Sequence, residues 1–174
     1  FPSERVLKEG DIVSLDAGVY YKGFHTDAAR TYAVGKVSPE LQTLMEATEQ
    51  SFYKGMLQAR VGNRISDISH AVEEYIKPFG YGIVRDFTGH GVGFELHEDP
   101  AIPNYGKPGR GVRIQEGMTL AIEPMITLGS GDVEILSDGW TTVTRDGSYA
   151  AHYENTVAVV DGSPVILTAP DVSI

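Results

Sequence analysis

A chain of 174 residues holds enough material for one domain with a real core, and the expectation is a single domain spanning 1–174. Its formal charge of −10 excludes a general nucleic-acid binder, and with 41% hydrophobic residues there is no apolar run long enough for a membrane helix. Cysteine is absent, which excludes a disulfide scaffold and a thiolate metal site, fits a cytoplasmic setting, and leaves carboxylates and histidines as the only strong metal ligands.

The chain enters at Phe1-Pro2-Ser3 without a methionine and without a signal-peptide pattern, so a preceding segment is expected. Residues 11–21, DIVSLDAGVYY, read as a strand, Lys22-Gly23 as a turn, and 24–34, FHTDAARTYAV, as the returning strand. Each arm carries an aspartate, Asp16 and Asp27, although aspartate is a poor strand former. A tight hairpin register sets the two directly opposite, with their carboxylates on one face. Like charges so placed require a cation between them; otherwise both are solvent-facing acids.

Ser38-Pro39-Glu40 has the form of a helix start, and apolar positions through Met56 recur at helical spacing, with Gly62-Asn63 as the stop. A second helix is expected over about 66–77, closed by Pro78 and Gly80. Short strands and glycine-rich loops follow: GIVRDF, GVRIQ, MTLAIEPMIT, VEILSD, WTTVTRD, YAAHYENTVAVV and PVILT. The order β-β, α-α, then many strands is an α+β pattern.

Beyond the hairpin, three segments hold a residue that does not suit its surroundings. His90 sits between glycines in TGHGVGFELHEDP, with His97 further along the same loop. Glu123 interrupts the apolar run TLAIEPMIT; an edge strand beside Pro124 is the other account of it. Glu154 interrupts a second β-type run, with His152 sharing its face by the strand period of two. Asp16, Asp27, His90, Glu123 and Glu154 together are a carboxylate-dominated set suited to two divalent ions.

The segments EGDIVSLDAGVYYKGFHTDAARTY, GHGVGFELHEDP, MTLAIEPM, the Trp140 segment and HYENTV occur in the order and at the spacing of the type I methionine aminopeptidases, which the chain closely resembles over nearly its whole length. The resemblance implies a pita-bread fold, with a curved antiparallel sheet and helices on its outer face, and a two-metal hydrolase that removes N-terminal methionine from nascent chains. It implies Asp16 as a bidentate ligand, Asp27 and Glu154 as bridging ligands, and His90 and Glu123 as the remaining ligands. It gives Glu123 a second role as proton shuttle, His97 contact with the scissile amide, and Leu96 and Trp140 places in the methionine pocket. The ions are expected to be Co, Mn, Fe or Zn, and Thr26, Thr88 and His25 are candidate supports for the ligands. His152 stands where a glutamine is frequent.

Members of that family carry more chain before the hairpin, including a further histidine and pocket residues. The expected form is therefore N-terminally shortened, with relaxed methionine selectivity and an uncovered sheet face that invites self-association. A prolidase or aminopeptidase P-like peptidase, or an inactive peptide-binding module of the same fold, are the alternatives. No nucleic-acid or membrane partner is expected.

Overall fold

The computed structural model describes residues 4–169, so Phe1-Pro2-Ser3 lies outside the described residues. The hairpin forms as β1 (Ile12–Tyr21) and β2 (Phe24–Ala33). Its register differs from the expected one. Lys22 and Gly23 both adopt positive φ, at 49° and 90°, the geometry of a two-residue turn that matches strand twist. Tyr21 is thereby paired with Phe24, Asp27 faces Gly18, and Asp16 faces Ala29. The two aspartates are diagonal neighbours rather than directly opposed, and an offset of two residues keeps both on one face.

Helix α1 (Pro39–Met56) is capped by Ser38, whose hydroxyl accepts the Leu41 N–H, and it ends six residues before Gly62. Helix α2 (Ile65–Ile76) begins at a box in which the Arg64 N–H donates to the Asp67 carboxylate, and it passes into a 3₁₀ turn, Lys77–Phe79, closed by Gly80.

The remaining strands are β3 (Gly82–Ile83), β4 (Gly89–Gly91), β5 (Glu98–Ile102), β6 (Thr119–Ile122), β7 (Met125–Thr127), β8 (Val133–Ile135), β9 (Thr142–Thr144), β10 (Ala150–His152), β11 (Asn155–Val160) and β12 (Ser163–Ile166). Residues 111–115 form no strand; Arg113 makes a single bridge to Arg64, and Ile114 is buried. MTLAIEPMIT and YAAHYENTVAVV each break in two, at Glu123-Pro124 and at Tyr153-Glu154. All strand pairings are antiparallel.

The two breaks lie side by side. β6 and β11 pair in a five-stranded sheet ordered β12-β11-β6-β4-β5, and β7 and β10 pair in a three-stranded sheet ordered β10-β7-β3. Register passes through the gap unchanged: Ile122 faces Asn155 on one side, Met125 faces His152 on the other, and the Tyr153 N–H donates to Pro124 O between them. Glu123 therefore stands across from Glu154. Both β6 and β7 are interior strands, so the edge-strand account of Glu123 does not hold.

β2 runs along the same gap. Ala29 and Glu154 exchange both backbone hydrogen bonds, and the Thr31 hydroxyl both donates to His152 O and accepts from His152 N–H. The helices cover the other face of this surface. Phe52, Ile65 and Ile68 cluster with Leu120, Ile122, Val157 and Val159, while Leu41, Leu44 and Ala47 cluster with Ile126 and Ala151. Each fully buried side chain of this size stabilises the fold by about 1.5–3 kcal/mol. On the helix-facing side, Leu120 and Ile122 of β6, Ile126 of β7, Ala151 of β10 and Val157 and Val159 of β11 are apolar, and the acids stand on the side away from the helices. Leu15, Val19, Tyr21 and Phe24 of the hairpin remain exposed.

Candidate metal centre

The pairings arrange the site in two cross-strand rows. One row runs Asp16, Ala29, Glu154, Glu123, and the next runs Gly18, Asp27, Thr156, Ala121, His90. Directly opposed residues point to the same face, so all five candidate ligands share one surface, supplied by β1, β2, β4 and the two breaks. Small residues, Gly18, Ala29 and Ala121, fill the positions between the acids and keep the surface concave. A Cβ at Gly18 would come within 3.2 Å of Leu96 Cδ1 and 3.8 Å of Asp27 Oδ1.

Ligand atoms of His90, Glu123 and Glu154 lie within 4.8 Å of one another, as do those of Asp16, Asp27 and Glu154, and those of Asp27, His90 and His97. Every residue expected as a ligand is in one of these groups, and His97 joins them. The rings of His90 and His97 meet edge to face at 4.4 Å, with His97 exposed and His90 buried. Leu96 sits over Gly18. Trp140 lies in the turn between β8 and β9 and is 68% exposed.

The electrostatics are those of a site that is short of positive charge. Glu154 is 2% exposed, and its carboxyl is pushed up to about 9, first by burial and then by Glu123, Asp27 and Asp16, with Arg30 opposing. Asp27 is also raised, by burial first and Asp16 second, against the opposing pull of His90 and the Ala28 N–H. His90 Nδ1 is 2.9 Å from Gly91 O, which can only accept, so Nδ1 carries hydrogen. Nε2 then points toward Glu123 Oε1 at 3.4 Å and Asp27 Oδ2 at 3.9 Å. Lone pair facing carboxylate is favourable only with a positive charge between them, a proton on Nε2 or a metal ion. The donor set, four carboxylates and one imidazole, fits divalent ions of the Mn to Zn series.

Supports for the candidate ligands come from residues that local patterning does not single out. The Thr156 hydroxyl donates to Asp27 O and accepts the Asp27 N–H, at 2.9 and 2.8 Å. Arg30 donates to Glu154 O, to Ala29 O at 2.7 Å and to Asn155 Oδ1 at 2.6 Å, and its guanidinium lies 4.1 Å from the Tyr153 ring. Of the supports expected from sequence, Thr26 belongs to the opposite face of β2 from Asp27, His25 rests against the Tyr20 ring, and Thr88 borders an open groove beside His90 and His97. Among the described residues no helix is long and apolar enough to cross a membrane.

Residues 1–161 match the model of metallopeptidase family M24. The chain is similar to the methionine aminopeptidase of Clostridium acetobutylicum, 56% identical over 94% of this chain and 66% of that protein. It is 58% identical to that of Borreliella burgdorferi, over 96% of this chain and 67% of the relative. The crystal structure of methionine aminopeptidase from Thermotoga maritima superposes with a TM-score of 0.93 at 48% identity, covering 95% of this chain and 66% of that one. The chain thus spans about two thirds of the length of the relatives it matches.

Proposed function

The chain belongs to metallopeptidase family M24, with its pita-bread fold, and from that premise we propose that it is a methionine aminopeptidase that removes N-terminal methionine from peptides and nascent chains in the cytoplasm. One observation carries the reading: five donors of the type divalent ions require occupy one face, in two adjacent strand rows.

Asp16, Asp27 and Glu154 would hold one ion, and Asp27, His90, Glu123 and Glu154 a second, with Asp27 and Glu154 common to both groupings. Bound ions of the Co, Mn, Fe or Zn type lower the pKa of water and polarise a peptide carbonyl. The Glu123 carboxylate, beside His90, takes up and returns the proton that moves from water to the leaving amine. His97, exposed on the rim beside His90, donates a hydrogen bond to the amide being cut. Leu96, over Gly18, and Trp140 offer apolar surface to the methionine side chain. Small residues between the ligands leave room for the free amino group of the substrate.

The test is metal content with turnover. The purified chain, loaded with Mn or Co, is expected to release methionine from Met-Ala-leading peptides and to leave N-acetylated ones intact. Parallel assays with Leu-leading and X-Pro substrates read the selectivity. Preferential cleavage of X-Pro dipeptides would assign it a prolidase activity instead, and a protein that binds no divalent ion would overturn the reading.

A further inference from the structure

His152 lies in the strand row next to the ligands, on the same face. That row runs Ser14, Thr31, His152, Met125, and it abuts the row that holds Asp16, Glu154 and Glu123. The His152 backbone is fixed from two sides, by Met125 across β7 and by the two hydrogen bonds to the Thr31 hydroxyl, which is itself 2.8 Å from Ser14 Oγ. The ring therefore has a defined place. Its side chain is 16% exposed, and Nε2 is buried without a hydrogen-bond partner among the described residues. Nε2 lies 3.5 Å from Glu123 Oε2, and Nδ1 lies 3.9 Å from Asp16 Oδ2.

Glu123 thus sits between two imidazoles. Oε1 faces His90, on the ligand side, and Oε2 faces His152, away from it. A carboxylate that must present one oxygen to the site and exchange a proton needs its other oxygen held. The ion-pair partner on Oε2 is His152. His152 shares no three-residue ligand grouping with the five donors, so the ring stands one shell outside them.

We propose that His152 is a positioning residue: it donates Nε2–H to Glu123 Oε2 and so fixes which oxygen of Glu123 faces the ligand cluster. This rests on the reading of Glu123 as a working carboxylate of a metal centre. The 3.5 Å separation closes by a small rotation of the glutamate when its other oxygen is engaged.

Three readouts on the full chain test it. His152→Ala is expected to weaken Mn affinity, measured by calorimetry, and to lower kcat on a Met-leading peptide, each by about 10–100-fold with KM little changed. His152→Gln retains an N–H donor of similar reach and is expected to restore both to within about threefold of the parent. Long-range ¹H–¹⁵N spectra of the imidazole nitrogens are expected to show His152 with Nε2 protonated, with and without Zn. Wild-type kcat and Mn affinity in His152→Ala, or a His152→Gln protein as impaired as His152→Ala, would overturn the proposal. So would a bare Nε2, the state of a ring that binds metal through that atom. The nitrogen assignment needs neither turnover nor a variant. It decides the case even if His152→Ala does not fold, and a parent protein that binds no metal would remove the proposed function without affecting it.

Discussion

Glu123 and Glu154 stand across from each other at the point where two paired strands both stop being strands. The register on either side is the same, so the gap is a local release of the ladder rather than a change of partner. Two acids buried opposite each other cannot both stay ionised without a compensating charge. The break, with Pro124 contributing no N–H, opens the strands where the acids need space. Glu154→Gln tests this opposition directly. It is expected to abolish tight binding of one ion and to lower peptide cleavage more than 100-fold, about 2.7 kcal/mol of barrier. In metal-free protein at pH 8 the same change is expected to raise Tm, because a neutral amide replaces an acid that resists ionisation. A lower Tm there would contradict the account.

Stability of the metal-free protein should fall as pH rises. The Glu154 carboxyl titrates near 4.5 when unfolded and near 9 when folded, and Asp27 shifts in the same direction. Between those values the folded state holds more protons than the unfolded one. Its stability is then fully present at low pH and declines by at most about 1.4 kcal/mol per unit for one such group. Metal binding must displace the proton, so added Mn should raise Tm more at pH 8 than at pH 6. Asp138 and Asp146 are held below the usual carboxylate range, first by Thr141 and by Ser148 respectively, and their contribution is lost only in acid, beneath this window. Thermal melts in chelator from pH 5 to 8.5 decide the matter; a flat profile would contradict it.

Much of this site could be read from the sequence because each candidate ligand violates a local rule. Aspartates in strands, a histidine between glycines and glutamates in apolar runs are visible without a structure. The hairpin register was less accessible, because it depends on whether the turn is centred on Lys22-Gly23 or one residue earlier, and the positive φ of Lys22 settles it. The breaks at Glu123 and Glu154 were hidden because the flanking residues are equally β-prone on both sides. Thr156, Thr31 and Arg30 were invisible for a different reason: each acts on a backbone group far away in sequence, and such pairings leave no local pattern.

Gly18 faces Asp27 and lies under Leu96, so its missing side chain is part of the site's volume. A single Cβ would meet Leu96 Cδ1 at 3.2 Å, the free end of a flexible side chain that can give way. Gly18→Ala is therefore expected to bind Mn within a few-fold of the parent. Gly18→Val adds two methyls beside Asp27 and overpacks the face by about 1–3 kcal/mol. Since those methyls compete with bound ions for the same space, Mn affinity should drop roughly tenfold or more. Equal affinities for the two variants in a calorimetric titration would show that Gly18 is not part of the ligand surface.

Arg30 reaches three acceptors around the second break, Ala29 O, Glu154 O and Asn155 Oδ1, and stacks on Tyr153, whose hydroxyl lies 3.2 Å from that of Tyr53 on α1. It closes the backbone of the strand gap from the helix side while the acids stand on the other, and it is the cation that opposes the rise of the Glu154 carboxyl. Losing hydrogen bonds from a half-buried charged donor costs about 1.5–3 kcal/mol. Arg30→Ala should lower the urea midpoint accordingly and weaken metal binding, because the Glu154 backbone loses its anchor. Arg30→Lys should recover little, since an ammonium cannot span Glu154 O and Asn155 Oδ1 as the guanidinium fork does. A lysine variant equal to the parent in both urea midpoint and Mn affinity would mean that charge alone, rather than the fork, holds the gap.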